Sequence, residues 1–395
     1  MDVVGLARAQ FAVTGSLHFL FVVLTLGLAP LVAIMNTRHV LSGNPLHERM
    51  TRFWGQIYVI NYALGVFTGL VMEFQFGLSW SRLSHYAGDV FGAPLAMETM
   101  IAFFLESTFL GLWIFGWHRL PRGLHLACIW LVTVTAYASA LFVLVANAFL
   151  QHPAGAVERG GRLALTDPGA LFTNPTLVIA LPHVIGAGLT TAGFTVIGAS
   201  AYHLFRRTAE REFFVRSLRV GVVTAFVGTL VVVGFGYAQF EPVKTYQPGK
   251  FGGAVPGTAL DAMMGIGQTL QLIAMFGLLP LLFRDLLARW RWLHPVLMLM
   301  TPLPFVAAVC GWLAREVGRQ PWLVYGKLTV ADALTPGLTR TDVTTSFAGF
   351  VTVLGLLALV DYALIARAVR RGPSRVALGA ADDPAAPLPV PAPTF

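Results

Sequence analysis

Apolar residues run along this chain in long blocks, broken by short connectors that carry arginine, proline or glycine. A block of about 20 residues rises far enough as an α-helix to cross the hydrocarbon core of a bilayer. A window of that length predicts spans over 11–35, 53–76, 94–117, 124–150, 176–205, 217–240, 259–283, 294–313 and 344–367. The expected fold is therefore all-α, a polytopic membrane helix bundle of about nine transmembrane helices, with residues 1–371 forming one membrane domain. Beyond Gly372 the sequence becomes Ala/Pro-rich, and 372–395 reads as a disordered cytoplasmic tail. No internal repeat emerges, which speaks against a transporter built from inverted halves.

The connectors are unequal in charge. Basic residues gather in Arg38–Arg52, His118–Arg122, Arg206–Arg216, Arg284–Arg291 and after Arg367, while alternate connectors are poorer in them. The positive-inside rule then puts the N-terminus outside and the C-terminus in the cytoplasm. Composition agrees: with 56% hydrophobic and 12% charged residues the chain is too apolar for a soluble globule. The formal net charge of +8 sits at helix ends and forms no stripe, so no nucleic-acid partner is expected. The two cysteines, Cys128 and Cys310, lie in apolar blocks without a Cys-x-x-Cys-His motif, so neither attached c-type haem nor a zinc cluster is indicated. The first nine residues lack a basic leader, and the first apolar block is expected to stay in the mature protein.

Against this background a few polar residues stand out by position. Glu98 and Glu106 lie inside the third span, where an acidic side chain costs on the order of 2.5 to 3.5 kcal/mol to insert. His18 lies in the first span, His183 opens the fifth, Met263 and Met264 open the seventh, and Trp312, Glu316 and Arg319 close the eighth. All fall in the expected outer half. A lone buried histidine is more often packed than ligating, and a methionine usually fills space. Their common depth changes that balance, because imidazole and thioether are the side chains that hold haem iron axially. A channel or transporter whose buried acids carry protons or cations is the competing class.

Several separated motifs narrow the choice. Gly92-Ala-Pro-Leu-Ala-Met-Glu98, Phe103-Phe-Leu-Glu-Ser-Thr-Phe109, Gly69-Leu-Val-Met-Glu-Phe-Gln-Phe-Gly77 and Gly311-Trp312…Glu316-Val-Gly-Arg-Gln-Pro-Trp322 together resemble subunit I of the cytochrome bd-type oxidases. The resemblance runs from about Gln10 to Gln151, resumes at His183 and returns from Met263 to Trp322. It implies a haem-bearing oxidoreductase of a bacterial or archaeal cell membrane that passes electrons from a low-spin b haem to a high-spin pair and reduces oxygen to water. His183 and Met263 would be the axial pair of the low-spin haem. His18 and Glu316 would ligate the high-spin pair, a second b haem and a third haem of type d or b, with Glu98 as ligand or close neighbour. Glu106 and Ser107 would supply protons, with Ser139 and Asn147 as candidate extensions, and Ser139 is expected mainly to pack. Trp312 would lie between haems, and Arg319 and Trp322 would pack against them; the plainer readings are interface aromatics for both tryptophans, an Arg319–Glu316 pair and a helix-capping Glu73. Implied partners are a homologous second membrane subunit, small single-helix subunits, oxygen, and a quinol or an outer cytochrome as electron donor.

The chain departs from this pattern at the quinol-binding segment. Gln247-Pro-Gly-Lys250-Phe-Gly-Gly-Ala-Val255 keeps the lysine, Lys250, but has Val255 where a glutamate is expected. The connector ends almost at once, with little room for a folded subdomain. Lys250 in so short a loop reads as a solvated lysine, and a donor other than quinol becomes a distinct alternative. Asp261 stands where an arginine is usual, and an anion beside a low-spin haem would lower its potential.

Overall fold

The structure, a computed structural model, describes residues 2–282 and 285–380, with all of their side chains except those of Ile101 and Ala102. Among these residues nine helices are long and apolar enough to cross a membrane. They are α1 Val3–Ser42, α2 Pro45–Ser79, α3 Ser81–Phe115, α4 Arg122–Gln151, α5 Pro175–Phe205, α6 Arg211–Tyr246, α7 Ala254–Leu282, α8 Leu293–Val317 and α9 Arg340–Arg371. Each matches an expected span and begins before it, and most also run past its end, for local reasons. Asp2 caps α1 by accepting from the Gly5 amide, and Gly43, at φ 64°, ends it. Asn44 and Asn174 cap α2 and α5, each followed by proline in the first turn, where its missing N–H costs nothing. Thr339 and Asp342 form a reciprocal capping box at the start of α9. These caps lie in polar sequence that a hydropathy window leaves out.

Regular helix is interrupted twice, once at the cavity wall. α3 widens into a π-helical segment over Glu98–Phe103, and α7 does the same over Ile273–Leu278. Such segments reorient side chains and recur at functional sites. The main core joins Val23, Leu24 and Leu28 of α1 to Trp54 and Tyr58 of α2, Phe194 of α5, and Phe213 and Phe214 of α6. α1 and α5 pack closely enough that a Cβ at Gly27 would overlap the Gly188 carbonyl oxygen, so small residues set this contact.

Two antiparallel hairpins lie at one end of the bundle, where α2, α4 and α8 finish and α3, α5 and α9 begin. β1 Ala156–Arg159 pairs with β2 Arg162–Leu165, and β3 Trp322–Val324 pairs with β4 Leu328–Thr329. The Tyr325 amide donates to the Leu150 carbonyl at 3.0 Å, and the Thr335 amide donates to Ser79 at 3.1 Å. These bonds pin the chain after α8 across the ends of α4 and α2. At the opposite end Leu378 is buried in the main core, and the Ala377 amide donates to Gln56 Oε1 at 2.8 Å. Residues 373–378 therefore pack against α2, and the rest of the expected tail, 381–395, lies outside the described residues.

Candidate functional site

A cavity of about 530 Å³ runs inside the bundle, walled by α1 to α8, with α9 outside it. His18, Glu98, Glu106, His183, Met263, Met264, Trp312, Glu316, Arg319 and Lys250 all line it. Residues from five separate helices and the connectors after α6 and α8 thus meet on one cavity wall. Two expected residues stand off. Ser107 lies behind the wall, its hydroxyl 3.2 Å from that of Tyr62, which does face the cavity. Trp322 sits in β3 with its ring toward Tyr325, outside the cavity lining.

The histidines divide by which ring nitrogen is held. His183 Nδ1 is 2.8 Å from the Val232 carbonyl oxygen, which can only accept, so Nδ1 carries the proton. His18 Nδ1 is 2.7 Å from the Thr68 hydroxyl oxygen, whose own proton goes to the Gly65 carbonyl at 2.6 Å, so His18 Nδ1 donates as well. In both rings the lone pair is left on Nε2, toward the cavity. A partner on Nδ1 that fixes tautomer and orientation is the usual support of a metal-ligating histidine. The buried His125, His203 and His294 do the reverse, giving Nε2 to the carbonyls of Trp113, Val369 and Leu287. Those three hold helices together.

Glycines make room behind the other cavity side chains. A Cβ at Gly311 of α8 would come within 2.7 Å of Met263 Sδ, and one at Gly15 of α1 within 2.6 Å of the Trp312 ring. Trp312 also lies against Phe11 and Phe19, at 5.8 and 6.1 Å between ring centroids, and its buried Nε1 has no partner. Asp261, two residues before Met263, is exposed and off the cavity wall. The charged side chain on the cavity wall nearby is instead Arg315 of α8.

The acids are held by hydroxyls. Ser139 donates to Glu98 Oε1 at 2.7 Å, so it does more than pack. Thr99 bridges Glu98 and Glu73, donating to Glu73 Oε1 at 2.9 Å with Glu98 Oε2 at 3.3 Å. Glu73 thus sits within α2 beside Glu98 and caps no helix end. Glu106 is 5% exposed and accepts from Tyr58 at 3.3 Å. Tyr58, Tyr62, Thr68 and Thr99 carry no local sequence mark, since helix partners assemble these contacts.

Glu316 is the most constrained carboxylate. Its Oε2 accepts from Arg319 Nη2 at 2.6 Å, and its Oε1 accepts from Asn147 at 2.9 Å and Gln151 at 3.3 Å. Arg319 therefore pairs with Glu316, as in the plainer reading of that residue, yet its Nε and Nη1 remain buried and unpartnered. Arg315 donates from Nε to Asn147 Oδ1 at 2.6 Å. Lys250 departs from the expected solvated loop residue: it is 6% exposed and donates to Gln247 Oε1 at 2.7 Å and to Gln151 Oε1. Gln247 in turn donates to the Gln151 carbonyl at 2.6 Å. Burial, and then the neighbouring Arg315, push the Lys250 ammonium well below the usual lysine range, with Glu316 opposing the shift. The connector is short, as expected, and folds inward.

Comparison with known proteins identifies this arrangement. The profile of the cytochrome bd terminal oxidase subunit I family matches residues 6–257 and 254–373, two stretches that meet at the shortened connector. The chain belongs to the cytochrome bd terminal oxidase subunit I family. A Bacillus subtilis relative, cytochrome bd ubiquinol oxidase subunit 1, is 34% identical over 93% of this chain and 93% of its own. The Escherichia coli cytochrome bd-II ubiquinol oxidase subunit 1 is 46% identical over 62% of this chain and 49% of its own. The bd oxidase structure from Geobacillus thermodenitrificans superposes with a TM-score of 0.86, covering 94% of this chain and 99% of that one at 24% identity, which is a likeness of fold. The chain is thus a haem-bearing subunit of a terminal oxidase, an oxidoreductase and a multi-pass protein of a bacterial membrane. Family membership decides against the channel or transporter reading.

The residues fit the haem that the family implies. Two histidines offer Nε2 to one cavity, a thioether faces the same space, and an indole N–H and guanidinium nitrogens stand there without partners. Among the described residues no group of three or more His, Cys, Asp or Glu suits a metal ion held by protein alone, whereas haem iron needs one or two protein ligands.

Proposed function

We propose that His183 and Met263 hold a low-spin b haem, and that His18 and Glu316 serve two high-spin haems, a second b haem and a third of type d or b, with Glu98 beside them. The observation that carries this reading is the shared tautomer of His18 and His183, which leaves Nε2 of both rings toward the cavity. Bound there, haem supplies electron transfer through a six-coordinate iron and oxygen binding at an open one. The protein's part is to orient ligands, exclude water and deliver protons. Trp312 fills the space between α8 and α1 along which electrons would pass. Glu106 and Glu98 are carboxyls in an apolar setting, held by Tyr58 and Ser139, and serve as the proton-transfer groups for oxygen reduction.

In the same reading α1 starts outside the cell and α9 ends in the cytoplasm, following the distribution of arginine. α3 carries an exposed apolar surface, with Met97, Met100, Phe104 and Phe115 uncovered, and a homologous second membrane subunit, with or without small single-helix subunits, would cover such faces. For the electron donor, the absence of a folded loop between α6 and α7 and the inward Lys250 favour a cytochrome or other donor at the hairpin end. A quinol is the second reading, supported by the ubiquinol named in the Bacillus subtilis relative. Oxygen uptake by the purified complex, measured with a quinol and with reduced cytochrome c, separates the two. Haem extracted from the same preparation tests the cofactor assignment, which falls if no non-covalent haem is recovered.

A further inference from the structure

Two phenols one turn apart on α2 face the acid-bearing stretch of α3. Tyr58 donates to Glu106 Oε1 at 3.3 Å, and Tyr62 shares a hydrogen bond of 3.2 Å with Ser107. The four side chains form two pairs across one helix contact, with the phenol rings 5.9 Å apart. Each pair has one member on the cavity wall, Glu106 in the first and Tyr62 in the second, and one behind it. A hydroxyl buried in an apolar span costs free energy unless it is hydrogen-bonded, and phenylalanine would fill either space without that cost. Packing alone does not account for these two hydroxyls.

Ser107 is free to hand on a proton. Serine and threonine hydroxyls inside a helix commonly bind the carbonyl one turn back, as Thr108 does with Phe104 at 2.8 Å and Ser16 with Ala12 at 2.7 Å. Among the described residues the Ser107 hydroxyl meets Tyr62 instead. Two hydroxyls carry two protons, and the single bond between them engages one. When Ser107 donates, the spare proton is that of Tyr62, the member on the cavity wall. Either oxygen can be the donor, so turning both hydroxyls reverses the pair without creating a charge.

We propose that Tyr62 is a proton-relay residue of oxygen reduction, passing into the cavity the protons that reach Ser107. The proposal rests on the reading of Glu106 and Ser107 as the proton supply. Ser107 lies behind the wall, and proton transfer needs a heavy-atom separation of about 2.6 to 3.2 Å or one bridging water, so its protons require a carrier that faces the cavity. In each passage a proton binds Ser107 Oγ, the serine's own proton moves to Tyr62 Oη, and the phenolic proton leaves into the cavity. Both hydroxyls are regenerated and no electron moves. The ring of Tyr62 packs; its hydroxyl alone performs the relay.

The test is oxygen uptake by the purified whole complex with an artificial electron donor, in water and in deuterated water, for wild type, Tyr62→Phe, Ser107→Ala and the double variant. Tyr62→Phe keeps the ring and should keep haem content and spectra, while turnover falls about 10²-fold, the lower end for a lost proton-transfer group, with a larger solvent isotope effect. Ser107→Ala should match it, and the double variant should be no slower than either, because the two hydroxyls lie in series. Wild-type turnover in Tyr62→Phe, a slowed turnover with an unchanged isotope effect, or additive losses in the double variant each overturn the proposal. Should Tyr62→Phe lose haem, Ser107→Ala decides: slowed uptake with a raised isotope effect supports the relay, and wild-type uptake overturns it. Glu106→Gln in the same series isolates the underlying reading: wild-type turnover there sinks the proton supply itself, whereas a silent Tyr62→Phe beside a collapsed Glu106→Gln sinks this inference alone.

Discussion

His183 Nδ1 and the Val232 carbonyl oxygen, 2.8 Å apart across α5 and α6, leave the free lone pair of the imidazole on Nε2. A backbone acceptor cannot be titrated or mutated away, so this ring is locked in one tautomer. His18 depends on a side chain for the same service, through Thr68. The difference makes the two positions separately testable.

Thr68→Val should disturb haem at His18 and spare the low-spin signal. The hydroxyl that takes the Nδ1 proton disappears while the shape is kept, and loss of such a supporting contact typically weakens a metal site about 10- to 100-fold. Thr68→Ser should keep near-normal occupancy. Haem content and carbon monoxide binding of the two variants check this, and equal behaviour of Val and Ser would count against the role of Thr68.

Gly311→Val should act on Met263 at a distance of one side chain. A Cβ at this position would already lie 2.7 Å from Sδ, so the thioether must leave its place. The expected outcome is partial conversion of the low-spin band to high-spin, with the protein still assembled in the membrane. An unperturbed low-spin band would mean that Met263 is not held against Gly311 in the loaded protein.

Glu98→Gln and Glu106→Gln keep the size of each side chain and remove the transferable proton. Turnover is expected to fall by about 10² or more, the usual scale for a lost acid–base group, with haem retained in Glu106→Gln. Ser139→Ala removes the 2.7 Å donor to Glu98 and should slow turnover less than either. Wild-type oxygen uptake in Glu106→Gln would return that residue to packing.

Much of this was legible in the chain, and the remainder was not for reasons visible in particular residues. Long apolar blocks made the nine spans evident, because insertion depends on summed hydropathy, but the caps at Asp2, Asn44 and Thr339 lie outside any such sum. Glu98 and Glu106 announced themselves by cost. Arg315 lies two residues beyond the expected eighth span, where a basic residue reads as an ordinary helix-end charge, so its place on the cavity wall was not legible. The contacts of Ser139 and Lys250 are not legible locally because their partners come from far along the chain: Glu98 is 41 residues from Ser139, and Gln151 is 99 from Lys250. Asp361, buried in α9 with an unpartnered Oδ1, lies off the cavity and has no role in this account.

Quinol-driven oxygen uptake by the purified complex should be at least about tenfold slower than uptake with a reduced cytochrome or artificial donor, a difference of 1.4 kcal/mol or more in barrier. The reasoning is spatial: Val255 offers no proton acceptor, and Lys250 is spent on Gln151 and Gln247 inside the protein. Rapid quinol oxidation that disappears in Lys250→Ala would restore a quinol oxidase.

The central claim is that His183 and Met263 hold a low-spin haem while another haem in the same cavity keeps an open iron. Reduced-minus-oxidised spectra of the purified complex, with and without carbon monoxide, address both halves at once in wild type, His183→Ala and Met263→Ala. The account predicts a low-spin b band in wild type that each variant loses, beside a carbon monoxide-reactive haem that survives in both. A low-spin band unchanged in both variants, or a wild-type complex with no carbon monoxide response, would contradict it.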